Sequence, residues 1–359
     1  MEREAHTGDM PVIVTHELTR VFGSYTAVDH LNLSVPRGAI YGFIGSNGSG
    51  KSTAIRMICG LLPPTSGTAF VLGCDTAAHP ERVRQSLGYM SQRFSLYTNM
   101  TVRENMMFYG GLYGLTRTER RTRTEEVLVR MQLTEKADVL AGGLSGGQKQ
   151  RTAFARILAS DAELLLLDEP FSALDSYLKW QLELELLHLF DSYGRAAVLV
   201  SHDRGEAYRL ADRIAVLSGG ALESLGTKHA LFEQPGTLAA TLLTGCKNIS
   251  RARRTAEHEL FAEDWKITLH SAAPVPENLR YVGIRAHFFS LREEAAENTP
   301  RMEAVQIIED AFSYLVMAKK ADSDAAPVRW EIEKIAWQGL GQKEFYLHFP
   351  ADRLILLER

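Results

Sequence analysis

The sequence predicts an α/β domain with a helical insertion, followed by a smaller β-rich domain. The apolar run Ile40–Ile44 leads into a glycine-rich loop and then into a helix-like segment. A second apolar run, Leu164–Asp168, has no polar residue before its end, as is typical of a parallel strand that is buried on both faces. In the last third of the chain, short alternating runs replace the helical pattern and predict strands.

Composition and charge are those of an ordinary globular protein. Hydrophobic residues make up 45% and charged residues 23% of 359 residues, which is enough for two domains. The net charge is −4 and charges nearly balance after residue 241, so we expect no nucleic-acid partner. No apolar run approaches the roughly 18 residues that span a bilayer, and the polar N-terminus shows no signal peptide. The spacing of Cys59, Cys74 and Cys246 fits neither disulfides nor a metal site, which predicts reduced thiols.

The loop after Ile40–Ile44 fits the G-x-x-x-x-G-K-[ST] pattern that binds phosphate. Its residues are Gly45, Ser46, Asn47, Gly48, Ser49, Gly50, Lys51, Ser52 and Thr53. The glycines let backbone N–H groups turn toward phosphate oxygens, and the N-terminus of the following helix adds a positive dipole end. We expect Lys51 to neutralise the β- and γ-phosphates and the Ser52 hydroxyl to bind Mg²⁺. The alternative, an ordinary turn with a chance lysine, is disfavoured by the strand–loop–helix order.

Two acids follow the second apolar run. Asp168 ends this run and Glu169 comes next. Ligands of open α/β sheets bind at the carboxyl ends of strands, so Asp168 is placed to hold Mg²⁺, directly or through water. Glu169 is the better candidate to polarise the attacking water. Two solvated acids at a strand end are the alternative, which the upstream phosphate loop disfavours.

A third motif lies between the phosphate loop and the paired acids, and it consists of Leu144, Ser145, Gly146, Gly147 and Gln148. With the three motifs in this order, residues 1–235 closely resemble the ABC ATPase family, which has a P-loop NTPase fold. Further family landmarks are matched by Phe22, Gln92, Asp175 and His202. The resemblance implies that the chain binds ATP and Mg²⁺ and hydrolyses ATP.

The resemblance also implies a role for each matched residue. Phe22 would stack on adenine, with Tyr25 as a weaker alternative. Gln92 would contact Mg²⁺ and water, and His202 would contact the γ-phosphate. Asp175 would lie at the interface between two subunits.

The third motif carries an implication for assembly. Ser145 and Gly147 open a helix, so that hydroxyl, N–H groups and helix dipole can face a γ-phosphate. In the family that phosphate is bound to the other subunit, which implies a head-to-tail dimer with two composite sites. We therefore expect a second ABC ATPase subunit, identical or different, and integral membrane permease subunits as partners. The chain would then lie peripherally at the cytoplasmic face of the membrane.

Domain organisation is predicted as a nucleotide-binding domain over 1–240, with a helical subdomain at about 95–150, and a β-rich accessory domain over 241–359. In the helical part, Thr116 and Glu119 have the spacing of a capping box. The basic cluster 251–254 is interpreted as an exposed linker.

The two halves of the chain resemble different branches of the family. Segments 88–97 and 101–105 resemble the ATPases of drug-type exporters. Segments 171–180, 244–251 and 281–287 resemble molybdate/sulfate-type import ATPases, whose barrel-like (OB-type) accessory domains contact their twin or bind a regulatory oxyanion. Substrate and direction of transport therefore stay open at this point, as does a ligand of the C-terminal domain.

Three functions outside transport are alternatives. Chromosome-maintenance ABC ATPases need a long coiled-coil insertion, but the stretch between Lys51 and Ser145 holds no long heptad run. Translation-associated ABC proteins carry two cassettes, whereas this chain has one. A catalytically dead subunit is disfavoured because Lys51, Glu169 and His202 are all present.

Overall fold

The computed structural model describes residues 10–91, 96–172, 174–337 and 344–359. The chain divides into two compact units, Met1–His229 and Ala230–Arg359. Across the described ranges, no helix is both long and apolar enough to cross a membrane. Cys59 and Cys246 are buried and Cys74 is partly buried, and all three are free thiols, as predicted.

The first unit contains ten described strands in two sheets. The strands are β1 (Ile13–Phe22), β2 (Tyr25–Val35), β3 (Ile40–Ile44), β4 (Ser66–Val71), β5 (Cys74–Asp75), β6 (Leu87–Met90), β7 (Leu164–Asp168), β8 (Ala196–Ser201), β9 (Arg213–Ser218) and β10 (Ala221–Thr227). One sheet is antiparallel, with the order β2-β1-β4-β5. The other has the order β10-β9-β3-β8-β7-β6, in which only β10 runs antiparallel to its neighbour.

The central strands of the larger sheet lie in the middle of the unit. Every residue of β3, β7 and β8 is buried, which for β7 confirms the prediction from its unbroken apolar run. Tyr41 and Phe43 of β3 pack with Leu164 and Leu166 of β7 in the main apolar core. This packing fixes the ends of the strands from which the candidate site is built.

Helices surround and extend the larger sheet. They are α1 (Lys51–Ile58), α2 (Pro80–Ser86), α3 (Val102–Leu112), α4 (Arg117–Arg130), α5 (Gly146–Ala159), α6 (Ser176–Tyr193) and α7 (Arg204–Leu210), with short 3-10 turns at Thr134–Lys136 and Ala141–Gly143. The helical segment between β6 and β7 thus consists of α3, α4 and α5. The predicted capping box of Thr116 and Glu119 is confirmed at the start of α4.

The second unit is β-rich. After α8 (Lys228–Glu233), which crosses the division between the units, it contains α9 (Leu238–Leu243), β11 (Asn248–Ala256), β12 (Glu259–Ala262), β13 (Ile267–His270), β14 (Tyr281–Ile284), β15 (Ser290–Arg292), β16 (Arg301–Glu309), β17 (Ser313–Lys320), β18 (Val328–Glu333), α10 (Lys334–Trp337), β19 (Glu344–His348) and β20 (Ile355–Leu357). Two five-stranded sheets have the orders β13-β12-β11-β14-β20 and β15-β19-β16-β17-β18. Trp265, Phe289 and Trp330 pack in their shared core.

One local prediction in this unit is wrong. The cluster 251–254 is not a linker but part of β11, which pairs with both β12 and β14. The Arg251 backbone N–H donates to Asp264 Oδ2 at 2.7 Å, and its guanidinium donates to Oδ1 of the same carboxylate at 2.7 Å. Arg251 and Arg253 stand on the outward side of the strand and alternate with buried Ser250 and Ala252, a pattern that the cluster of arginines obscures in the sequence.

Candidate functional site

The candidate site forms where four parallel strands end. In the larger sheet Ile44 of β3 pairs with Ser201 of β8, and Asp168 of β7 pairs with Val200 of β8. The phosphate loop, Glu169 and His202 each follow one of these strands, so the topology brings them to one edge of the sheet. Met90 of β6 pairs with Leu167 at the same edge. The predicted metal- and water-contacting residue Gln92 lies outside the described residues.

Glycine is required at two positions of the phosphate loop. A Cβ atom at Gly45 would lie 2.4 Å from the Leu217 carbonyl oxygen. At Gly50 the φ angle is +98°, and a Cβ atom would lie 2.3 Å from the Ala27 carbonyl oxygen. Backbone neighbours cannot move aside as a flexible side chain can. The loop therefore holds its shape only with glycine at these two positions.

Lys51 is the first residue of α1 and is buried. Its Nζ atom donates hydrogen bonds to the carbonyl oxygens of Gly45 (2.7 Å) and Ser46 (3.0 Å). Burial lowers the pKa of Lys51, and the nearby charges of Glu169 and Asp168 oppose this shift. A cation is thus held at the start of a helix whose N–H groups and dipole also favour an anion.

A cleft of about 530 Å³ opens beside this loop. Its lining residues are Tyr25, Ala27, Asn47, Gly48, Ser49, Gly50, Lys51, Ser52, Thr53, Glu169, Ser172 and His202. Most of the predicted phosphate loop and two of the predicted catalytic residues therefore line the same cleft. The cleft has the donors and the positive helix end that a polyphosphate chain requires.

Asp168 is buried at the end of β7, close to the cleft. Burial and the neighbouring Glu169 charge raise the pKa of Asp168. The Tyr89 hydroxyl donates to its Oδ2 atom at 3.4 Å, whereas Oδ1 has no hydrogen-bond partner among the residues that the structure describes. This buried carboxylate oxygen and the hydroxyl of exposed Ser52, which lines the cleft, are oxygen ligands of the kind that Mg²⁺ prefers. The residues present therefore fit this metal ion.

Glu169 and His202 form a pair at the edge of the cleft. Glu169 has a φ angle of +48°, and its N–H donates to the Val200 carbonyl oxygen at 2.9 Å. Because of this left-handed backbone conformation, the side chains of Glu169 and Asp168 point in different directions. His202 Nδ1 lies 3.4 Å from Glu169 Oε1. One carboxylate can thus serve a metal ion while the other faces an imidazole and solvent.

The motif of Ser145, Gly146, Gly147 and Gln148 lies elsewhere in the unit. Ser145 caps α5, accepting a hydrogen bond from the Gln148 N–H, while the Gln148 side chain accepts one from the Ser145 N–H. Ser145 and Gly146 are exposed, Gly147 packs against Leu178, and none of these residues lines the cleft. The helix start that they form is therefore not part of the cleft beside the phosphate loop of its own chain.

The remaining predicted residues occupy local positions. Asp175 caps α6 by accepting hydrogen bonds from the backbone N–H groups of Tyr177 and Leu178, both at 3.0 Å. Phe22 is half-exposed, and the Arg20 guanidinium lies 4.6 Å from the centre of its ring. Phe22 does not line the cleft, whereas Tyr25, the residue paired with it across the β1–β2 turn, does.

Three features of the site were missed by sequence reasoning. The Tyr25 hydroxyl donates to the Gly48 carbonyl oxygen at 3.1 Å, so this residue braces the phosphate loop as well as lining the cleft. Tyr89 contacts Asp168, and Ser172 lines the cleft. Tyr89 directly precedes the last residue of a strand that enters the site, and that position is the only sequence signal that could have indicated its contact.

Taken together, the glycine-shaped loop, the buried lysine and the two carboxylates define a nucleoside-triphosphate-hydrolysing site of the P-loop class. The profile of the family described as "ABC transporter" matches residues 28–172. The sulfate/thiosulfate import ATP-binding protein CysA of Synechococcus elongatus is 38% identical over 237 residues, covering 66% of this chain and 69% of that protein. The probable multidrug ABC transporter ATP-binding protein YbhF of Escherichia coli is 40% identical over 223 residues, covering 62% of this chain and 38% of that protein.

Solved structures agree with the sequence matches. The dimeric ATP-binding cassette MJ0796 bound to ADP and Pi has a TM-score of 0.55 and 29% identity, covering 60% of this chain and 98% of that one. The cbiO1 protein from Clostridium perfringens, part of the complex cbiONQ, has a TM-score of 0.58 and 25% identity, covering 62% of this chain and 91% of that one. The chain belongs to the ABC transporter family as an ATP-binding subunit. The predicted P-loop fold, ATPase activity, and use of ATP and Mg²⁺ are confirmed at this level.

Proposed function

We propose that this chain works as half of a head-to-tail ATPase dimer whose two sites are each completed by the partner subunit. The observation that carries this proposal is the separation, within one chain, of the Ser145 helix start from the phosphate-loop cleft. Ser145 and Gly146 are exposed and point an N-terminal helix dipole toward solvent. The γ-phosphate of ATP bound to the other subunit accepts hydrogen bonds from the free N–H groups at the start of α5. Asp175, at the start of α6, lies at the same interface between the subunits.

Within each site, the chain's own residues bind and orient ATP. The loop N–H groups and Lys51 hold the β- and γ-phosphates, and Ser52 and Asp168 hold the metal ion, with Gln92 as a further ligand. When bound, Mg²⁺ supplies a Lewis acid that neutralises charge on the phosphate oxygens. Glu169 accepts a hydrogen bond from the attacking water and aligns it with the γ-phosphate.

His202 and the aromatic residues complete the site. His202 contacts the γ-phosphate and, through its 3.4 Å approach to Glu169, keeps that carboxylate beside the attacking water. Phe22 stacks on adenine from the β1–β2 turn, and Tyr25 holds the loop from the other side of the same turn.

The finer proposal is that the dimer drives import of a sulfate- or molybdate-type oxyanion through separate integral membrane permease subunits. The chain would then sit peripherally on the cytoplasmic face of the membrane. Support comes from the 38% identity to a sulfate/thiosulfate import protein and from the additional β-rich unit. A second candidate, the ATPase of a drug-type exporter, is favoured by the 40% identity to YbhF.

An oxyanion is also proposed as a regulatory ligand of the β-rich unit. A cleft of about 780 Å³ in this unit includes Arg292, Arg301 and Tyr346 in its lining. Arg301 is paired with Asp322 and Glu344, so Arg292 is the residue that would meet the anion. Calorimetric titration of the full chain with molybdate and with sulfate tests this, and unchanged affinity in Arg292→Ala contradicts it.

Sedimentation of a hydrolysis-deficient variant tests the composite site. Glu169→Gln protein should sediment as a dimer at saturating Mg-ATP and as a monomer without nucleotide. Adding Gly146→Arg should abolish the dimer, because a Cβ at this glycine meets no atom within 4 Å in the described part of the chain, so the new side chain extends into the space that the partner would occupy. Glu126→Arg, at an exposed site of α4, is the matched control. Monomers at saturating Mg-ATP without the Gly146 change would refute the proposal.

The transport direction requires the membrane partner. The full chain, purified from its native membrane with a mild detergent, should carry permease subunits, and the complex in vesicles should accumulate labelled sulfate or molybdate on the side of the ATPase. ATP-driven removal of drugs from that side, with no oxyanion uptake, would instead establish the exporter.

A further inference from the structure

A partly buried ion-pair cluster lies on both sides of His202 in the chain without including it. Lys179, on α6, reaches across to the start of α7. Its Nζ atom lies 2.5 Å from Asp203 Oδ2 and 2.6 Å from Glu206 Oε1. Asp203 directly follows His202 in the chain, so a single ammonium group from α6 is bonded to the residue next to the imidazole.

The residue on the other side of His202 belongs to the same cluster. The Ser201 hydroxyl donates to Glu206 Oε2 and accepts a hydrogen bond from the Asp203 N–H at 2.8 Å. Asp203 Oδ1 in turn accepts from the Gly205 N–H at 2.7 Å. Both neighbours of His202 are therefore fixed, one directly and one through Glu206, to the same lysine. The backbone at His202 has little freedom to move unless Lys179 moves with it.

Burial makes this arrangement stiff. Glu206 is 4% exposed and Ser201 1% exposed, whereas the Lys179 and Asp203 side chains are 23% and 35% exposed, so the burial is concentrated at Glu206 and Ser201. At such sites charged hydrogen bonds are strong, and removing one partner leaves a buried charge without compensation. The cluster thus differs from exposed ion pairs, which contribute little.

Lys179 also connects to the start of its own helix. Its backbone N–H donates to the Asp175 carbonyl oxygen at 2.9 Å, one helical turn earlier. The start of α6 and the loop of His202 are therefore linked by one helical turn and one side chain.

We propose that Lys179 is a positioning residue for ATP hydrolysis, which holds His202 at the γ-phosphate by fixing both of its neighbours to α6. This inference rests on the role proposed above for His202. Lys179 does not line the phosphate-loop cleft, so its effect is on turnover and not on ATP binding.

A second ion pair between the same helices provides a matched control. Glu183, one turn beyond Lys179 on α6, is buried and accepts two hydrogen bonds from the Arg209 guanidinium, at 2.6 and 2.9 Å. Arg209→Met and Lys179→Met each leave a buried carboxylate unpaired between α6 and α7. The ion pair that Arg209→Met breaks, Arg209–Glu183, is not hydrogen-bonded to either neighbour of His202.

The test compares Lys179→Met, Lys179→Arg and Arg209→Met in the full chain. Steady-state ATPase assays give kcat, and fluorescence titration with a nucleotide analogue gives affinity. Lys179→Met should lower kcat roughly 10- to 100-fold, the scale expected for a misplaced catalytic group, with affinity changed less than about twofold. Lys179→Arg should restore most of kcat, and Arg209→Met should stay within about threefold of wild type.

Additional variants keep the result interpretable. If Lys179→Met folds poorly, the double variant Lys179→Met/Glu206→Gln removes the more buried of the two carboxylate charges that lose their partner, and the Gln side-chain oxygen can still accept the Ser201 hydrogen bond. Wild-type turnover in that double variant overturns the proposal, as do equal losses in Lys179→Met and Arg209→Met or a loss of affinity that matches the loss of kcat. His202→Ala is measured alongside. Full turnover by His202→Ala would refute the proposed role of His202, whereas an inactive His202→Ala with an active Lys179→Met would refute only the present inference.

Discussion

His202 Nδ1 lies 3.4 Å from Oε1 of Glu169, although the two residues follow different strands of the sheet. The approach is possible because β7 and β8 are parallel neighbours and because Glu169 adopts a left-handed backbone conformation that turns its side chain away from Asp168. The positive φ angle of Glu169 thus allows two adjacent acids, Asp168 and Glu169, to have different functions. Substitutions at these residues and at the adjoining loop should change nucleotide binding, ATP hydrolysis, metal binding or stability by measurable amounts.

Glu169→Gln should retain ATP binding and slow hydrolysis by about 10²–10⁴, the range for loss of a general acid–base group. The amide keeps the size of the side chain but cannot accept a proton from water. Single-turnover hydrolysis and nucleotide titration check the two halves of this prediction. Glu163→Gln, an exposed acid just before β7, should behave as wild type. Normal turnover in the Glu169 variant would remove this residue from the mechanism.

Lys51→Ala should weaken nucleotide binding by roughly 10- to 100-fold, because a charged hydrogen bond contributes about 1.5–3 kcal/mol. Lys51 contacts the loop that holds the phosphates of bound ATP before hydrolysis. Its removal should therefore lower nucleotide affinity more than it lowers the rate of hydrolysis. Fluorescence titration of the variant, with exposed Lys136→Ala as control, measures it. Equal affinities would contradict the assignment.

Gly50→Ala should lower the free energy of unfolding by roughly 1–3 kcal/mol, the usual range for a strained backbone conformation, and should also reduce nucleotide binding. The added methyl would meet the Ala27 carbonyl oxygen at 2.3 Å. Gly143→Ala is the control, because its Cβ meets no atom within 4 Å and its φ angle is ordinary. Urea unfolding curves of both variants give the comparison, and similar midpoints would show that the loop tolerates a side chain.

Asp168→Asn should raise the Tm of the protein at neutral pH in the absence of Mg²⁺, while abolishing Mg²⁺-dependent hydrolysis. Burial raises the pKa of Asp168 in the folded chain above its ordinary value of 3.8. At pH values between 3.8 and this higher pKa, the folded chain therefore binds more protons than the unfolded chain. Stability is therefore lost as pH rises through this window, and the loss persists above it. Replacing the carboxylate removes the penalty. Thermal melts at several pH values test this, and a gain that shrinks toward higher pH would have the wrong sign.

Tyr89→Phe should increase the Mg²⁺ concentration needed for half-maximal nucleotide binding about 3- to 10-fold, since a hydrogen bond contributes roughly 0.5–1.5 kcal/mol. Its hydroxyl holds Oδ2 of Asp168 and leaves Oδ1 for the metal ion. Titration with Mn²⁺ followed by electron paramagnetic resonance reports metal binding directly. Tyr113→Phe, which loses a hydrogen bond to the Leu87 carbonyl and none to Asp168, should leave the metal affinity unchanged.

Much of the site could be predicted because its residues follow buried parallel strands. The runs before Gly45 and Glu169 are apolar enough to identify two strands, and parallel topology then places their ends together, whereas His202 was indicated only by the family resemblance. Tyr25 could not be predicted in the same way. Its contact with Gly48 depends on how the β1–β2 turn packs on the loop, which no local pattern specifies.

The second unit was predicted as β-rich for a similar reason, since its alternating strands are visible in the sequence. The basic stretch of β11 was misinterpreted because charged residues on an outward strand face resemble those of a loop. Lys179 was missed because the sequence shows a lysine on a helix but not the two carboxylates that α7 brings to it.

The distribution of the cysteines makes this chain well suited to site-specific spectroscopic labelling. Burial raises the pKa of the Cys59 and Cys246 thiols, and only Cys74 is partly accessible. Replacing Cys74 alone therefore gives a background on which a cysteine introduced at exposed Glu126 or Lys136, outside the nucleotide site, is the reactive thiol. A spin label at either position would report the distance between two copies of the chain during the ATP cycle.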